Sequence, residues 1–153
     1  MPSDVPSATR RLASCFINRD ALRGLVRDVL GCGCPDEIFD DVVVGTPSVY
    51  AATPPLPALE LVIGSRLLVT LVLTEVLVDV AREARTLLAQ GRATRDREGL
   101  NRCRLVLVGA VPGELLEQLQ IEAARMDERM HVHHLETDNL PSITGTHGAR
   151  SAG

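Results

Sequence analysis

Along the chain, apolar positions fall into runs whose spacing alternates between the helical and the extended period. Leu22, Leu25, Val26, Val29 and Leu30 repeat at the three-and-four spacing of one buried helical face. Asn18 stands where the first free N–H groups of that helix need an acceptor, and Ile17 and Leu22 are placed as a hydrophobic staple. Gly31 is the expected left-handed stop. Cys32-Gly33-Cys34-Pro35 follows. Pro35 suits the first position of a short helix reaching about residue 40, which puts Cys34 at its N-cap.

The next runs are extended. Val42-Val43-Val44 reads as a short strand, and 46–58, with Pro47, Pro54, Pro55 and Pro57, reads as an irregular loop. Leu59 to Ile63 and Leu67 to Leu73 flank Gly64-Ser65, the pattern of a hairpin with a type II′ turn. The second strand is apolar on both faces and belongs in the middle of a sheet. Val76, Leu77, Val80, Ala84, Leu87 and Leu88 trace a second helix capped by Thr74, and 91–101 is a charged connection into which the helix can persist. Leu105 to Val108 is an apolar strand ending at Gly109. Pro112 opens a third helix with Leu115, Leu116, Leu119, Ala123 and Met126 facing inward, and Met130 to Leu135 is a last strand.

These elements predict an α/β fold. It is a mixed four- or five-stranded sheet, an antiparallel hairpin plus two βαβ crossovers, with helices packed on it in a single domain. The domain is expected over 17–138, between a mobile tail at 1–16 and a second mobile tail at 139–153.

Composition narrows the partners. One Tyr, two Phe and no Trp leave almost nothing to stack bases or build an aromatic cage. The net charge is −4, with 20 acids against 16 basic residues, all of them arginine, so nucleic acid is a disfavoured partner. Leu67 to Thr74, the longest uncharged piece of the most apolar stretch, is eight residues. A membrane helix needs about 20, and no apolar run follows Arg10 and Arg11 as a signal peptide requires, so no membrane partner is expected. Four cysteines are too few for a secreted disulfide framework and predict free thiols in a reducing cytoplasm.

Cys32 and Cys34 are the first candidates for chemistry. A thiol at a helix N-cap meets free N–H groups and the positive end of the dipole, which favour thiolate. Two thiolates one residue apart can clamp zinc, copper or the iron of an iron–sulfur centre, or close into a strained, easily reduced disulfide. Asp36 and Glu37 oppose a negative charge at Cys34, and the plainer reading is a pair of small packing cysteines. Cys15 and Cys103 complete four thiols, but nothing in their spacing brings them to the pair. Two chains supplying Cys32 and Cys34 across a homodimer axis need no further ligand.

His131 and His133 point to one face of the last strand and are the secondary metal-ligand candidates, with His134 on the other face. The plainer reading is a polar sheet edge. The stretch from Arg82 to Arg104 holds seven arginines against three acids, suited to a phosphate, a nucleotide or an acidic partner, or simply to a solvated helix end. Gly109 to Gly113 lacks a phosphate-loop lysine and a dinucleotide fingerprint and reads as a structural turn.

No catalytic residue or bound cofactor is named by these patterns. The leading expectation is a small cytoplasmic thiol protein using the Cys-Gly-Cys-Pro motif for metal binding or reversible thiol–disulfide chemistry. The alternative is a non-enzymatic, dimeric α/β interaction module with structural cysteines. A third is an anion-binding domain using the Arg82–Arg104 region.

Overall fold

Seven consecutive buried residues, Leu67–Leu73, place β3 at the centre of the sheet. The computed structural model describes residues 7–16, 18–31, 35–45 and 58–140. Five strands lie in sequence order: β1 (Val42–Gly45), β2 (Ala58–Ile63), β3, β4 (Arg102–Val108) and β5 (Met130–Leu135). β1, β2 and β3 form an antiparallel meander, while β3, β4 and β5 run parallel. This is the mixed sheet expected from the sequence, with five strands.

Helices cover both faces. On one face, α3 (Val80–Glu98) and α4 (Gly113–Met126) bury Ala84, Leu87, Leu88 and Leu119 against Leu68, Leu105 and Leu107. On the other, α1 (Ser7–Cys15) and α2 (Arg19–Gly24) bring Leu12, Phe16, Leu22 and Leu25 against Leu61, Val69 and Val106. Each fully buried leucine contributes roughly 1.5–3 kcal/mol of transfer free energy.

The mobile tail expected over 1–16 is corrected from Ser7 onward. Leu12, Cys15 and Phe16 have helical spacing and are buried in the core, so the domain begins in α1. At the other end, Thr137–Asn139 forms a 3₁₀ turn and Leu140 packs against the same core, so the domain passes residue 138. The rest of that expected tail, 141–153, lies outside the described residues.

Asn18 caps α2 as predicted, its Oδ1 accepting from the N–H of Asp20 at 2.7 Å and of Ala21 at 3.3 Å. The staple partner Ile17 lies outside the described residues. After Gly24 the helix widens into a π-helix, Leu25–Val29, and Gly31 takes the left-handed conformation, φ +69°. The following helix is a single 3₁₀ segment, Asp36–Asp40, with Pro35 in the N-cap position. That corrects the placement of Cys34 as cap: it lies before the cap residue, and Cys32-Gly33-Cys34 is outside the described residues.

At the β2–β3 hairpin both Gly64 and Ser65 have positive φ, the mark of a type I′ rather than a type II′ turn. Helix α3 starts later than its apolar stripe implied. Asp79, not Thr74, is the cap: its carboxylate accepts from Arg82 N–H, while Glu83 accepts from Asp79 N–H at 2.6 Å. The helix then runs through most of the stretch that read as a charged connection. Gly91 is suited to this path because a Cβ there would stand 2.8 Å from Cys103 Sγ, so helix and strand meet closely. The outer edge of β5 is partly closed by Gln120 of α4, which donates to the Val132 carbonyl at 3.2 Å. No helix among the described residues is long and apolar enough to cross a membrane.

Candidate anion-binding site

The register of β4 against β5 builds the site. Arg104 is paired with Val69 on one side and His131 on the other, and Val106 is paired with His133. Ladder partners share a face, so Arg102, Arg104, His131 and His133 all lie on the face that carries α1 and α2. Further along the same face, Val106, Val108 and Leu135 belong to the core beneath those helices. The starting ends of β4 and β5 instead border an open depression of about 440 Å³, lined by Asn101, Arg102, Arg104, Glu128, Arg129 and His131.

Arg104 is the centre of this arrangement. It is 7% exposed. Its Nη1 donates to the Cys103 carbonyl at 3.2 Å and to the Arg129 carbonyl at 3.0 Å. Among the described residues no carboxylate pairs with it and no protein group accepts from its Nε or Nη2, which keep contact with solvent. A guanidinium keeps its charge at neutral pH, so among the described residues two neutral carbonyls and no counter-charge compensate its burial. Burial, helped by neighbouring Arg102, pulls its pKa below the usual value.

The histidines record the same field. His131 is held below its ordinary pKa by burial and by Arg104 and Arg102. His133 is pushed down to about 4 by burial, Arg104 and His131, and its buried Nε2 has no partner among the described residues. The two rings are 6.4 Å apart, centroid to centroid. Three guanidinium groups and His131 line the depression, and among the described lining residues Glu128 supplies the single carboxylate. Such a surface presents donors in excess of acceptors and fits an oxyanion.

An ion pair outside the depression holds the turn that borders it. Arg95 of α3 donates through Nη2 to Asp127 Oδ2 at 2.7 Å and to Asp96 Oδ1 at 2.8 Å. The other Asp127 oxygen accepts from the Arg129 N–H at 2.8 Å. These bonds hold the Asp127 carboxyl down at about 2, Arg95 being the largest cause, and fix the turn that carries Glu128 and Arg129.

The arginine stretch singled out in the sequence is therefore split by the fold. Arg85 is tied to Glu122 by two bonds of 2.7 and 2.9 Å, and Arg95 is paired as above. Only Arg102 and Arg104 reach the depression. Arg129, outside that stretch, was missed; its signal is its place one residue before β5, in register with the start of β4. His131 and His133 do share a face, but no group of three or more metal-ligating side chains occurs among the described residues. His134, on the opposite face, donates to the Gly109 carbonyl at 2.6 Å.

Cys32 and Cys34 lie outside the described residues. The other two thiols are apart and buried, Cys15 in the core under α1 and α2, Cys103 in the core under α3 and α4. Burial raises both, Cys103 to about 12. Compared with protein-family models, with curated proteins and with solved structures, the chain matches none.

Proposed function

We propose that this protein is a small-anion-binding α/β module whose ligand sits over Arg104. The observation that carries the reading is a guanidinium 7% exposed, with no carboxylate partner among the described residues, bordering an open, arginine-rich depression. An oxyanion there supplies the charge that the fold withholds and can engage Arg104 Nε and Nη2 side by side. Titrating inorganic phosphate into the protein by calorimetry and by thermal unfolding tests this. Wild type should bind and gain stability, about 2.7 kcal/mol at a hundredfold excess over Kd. Arg104→Met should bind about 10–100-fold more weakly and gain correspondingly less stability at the same phosphate concentration, and a wild type that ignores phosphate and sulfate alike removes the reading.

A second reading keeps Cys32 and Cys34 as a metal-binding or reversible thiol–disulfide pair in a reducing cytoplasm. What supports it is the state of the other two thiols: burial keeps Cys15 and Cys103 protonated, so any thiol chemistry falls to this pair. Its alternative is a dimeric interaction module, supported by Val43 and Val44 on strand β1, 59% and 57% exposed. Thiol titration and metal analysis of protein purified without oxygen, then light scattering of Cys32→Ser and Cys34→Ser, separate them. Two unreactive thiols with no metal end the first; a monomer throughout ends the second.

A further inference from the structure

Resting on the anion-site reading, we propose that the depression takes the dianion of a phosphate monoester together with one proton, which goes onto His131. The organic part of that ligand is polar and non-aromatic.

The ligand class follows from the walls. A carboxylate monoanion is satisfied by one guanidinium edge. Here Arg102, Arg104 and Arg129 border one depression from the start of β4 and from the turn before β5. Several donor groups around one ligand suit a tetrahedral dianion. At about 440 Å³ the depression has room for more than the bare ion. Its remaining lining, Asn101, Glu128 and His131, is polar, and no Phe, Tyr or Trp is present to stack a base.

The proton follows from position. His131 lies directly beside Arg104 in the β4–β5 ladder and is exposed to the depression. From β4 it faces Arg102 and Arg104, along β5 it faces His133, and from the preceding turn it faces Glu128 and Arg129. Asp28 of the π-helix borders Leu135 at the far end of β5. Helix α4 packs behind the other face, where Gln120 meets Val132. In the free protein, burial first and the neighbouring Arg104 and Arg102 second hold His131 below its ordinary pKa. A bound dianion reverses that field, and the imidazolium becomes a further donor to the ligand. The pKa in the complex then exceeds the pKa in the free protein. Binding takes up a proton from solvent, and affinity rises as pH falls between the two values. A one-unit rise gives about a tenfold gain in affinity. His133 has no acceptor for its buried Nε2 among the described residues and stays neutral.

The experiment uses sulfate, which remains a dianion throughout, as the fixed-charge probe. Calorimetry at about pH 8 and about pH 6, in buffers of different ionisation enthalpy, reads proton uptake, and the His131 ring signals read its pKa by NMR. The expected result has four parts: tighter sulfate binding at the lower pH by up to about tenfold, uptake of about half a proton between the two pKa values, an upward shift of the His131 pKa on saturation, and near-loss of the pH dependence in His131→Gln. Glycerol phosphate should bind more tightly than acetate by at least about tenfold, one further charge-assisted bond being worth this much. Sulfate binding that is independent of pH overturns the proton coupling and leaves the anion site standing. pH dependence that survives His131→Gln overturns the assignment to that residue. Acetate binding as well as glycerol phosphate overturns the ligand class. Absence of binding by every anion overturns both this proposal and the reading beneath it.

Discussion

Arg95 and Arg104 are buried to the same degree, 7% exposed each, yet their surroundings differ in kind. Arg95 joins α3 to the turn before β5 through Asp127 and reaches Asp96 as well, so its charge is answered within the fold. Arg104, on β4 and facing the other side of the sheet, meets only two backbone carbonyls among the described residues. Burying a cation costs several kcal/mol unless a counter-charge and good hydrogen bonds offset it. A buried arginine with carboxylates is a joint. One without them is a standing electrostatic cost, and a negative ligand relieves it.

The largest expected effect is on binding. Arg104→Met should weaken phosphate or sulfate by about 10–100-fold, the worth of one or two charge-assisted bonds. Arg95→Met should leave measurable binding, since its side chain does not line the depression. Equal loss in both variants would erase the distinction.

Stability should show the reverse order. In urea denaturation Arg95→Met should lose about 1–2 kcal/mol, less than a fully buried broken pair because Asp127 and Asp96 retain water contact. Arg104→Met should stay within about 1 kcal/mol of wild type or exceed it, because an apolar side chain replaces a charge with no counter-ion.

Acid titration separates the two regions further. Asp127 is depressed to about 2, below its unfolded value. Its contribution is therefore complete above about pH 4 and is lost as pH falls toward 2. His133 is depressed to about 4. The unfolded chain binds that proton from about pH 6.5 downward, so the contribution is complete above about pH 6.5 and is lost as pH falls toward 4. Asp127→Asn should flatten the lower part of the stability profile and His133→Gln the upper part. Arg104→Met should move the His133 titration upward, with the burial effect remaining. An unmoved His133 would show that Arg104 does not set the local field.

The smallest effect is a chemical count. With Cys103 raised to about 12 and Cys15 also raised, neither should react with a thiol reagent near neutral pH before unfolding. Fast-reacting thiols then report Cys32 and Cys34 alone. A third fast thiol would mean that one of the two cores opens.

Much of the frame was legible along the chain because its causes are local. The cap at Asn18, the stop at Gly31, the buried run of β3 and the span of β5 each depend on neighbours within a few residues. α1 escaped notice because only Leu12, Cys15 and Phe16 carry its pattern among Ser and Arg. The extension of α3 stayed open in the sequence, because Gly91 and the charges after it fit a helix end as well as a helix whose buried face includes Arg95. At the site, Arg102, Arg104, His131 and His133 were all singled out, but in unrelated groups: a solvated arginine stretch and a pair of metal ligands. Arg129 was not singled out.

The sequence by itself determined the α/β class, the mixed sheet and most strand positions, since periodicity, capping and turn chemistry act over a few residues. Only the tertiary structure decided which arginines are joints and which is left without a counter-charge. The parallel register brings Arg104 beside His131 across the whole α4 crossover, while Asp127 turns toward Arg95. What a charge does depends on the dielectric and on the partners that burial provides, and both come from chain segments far apart in sequence.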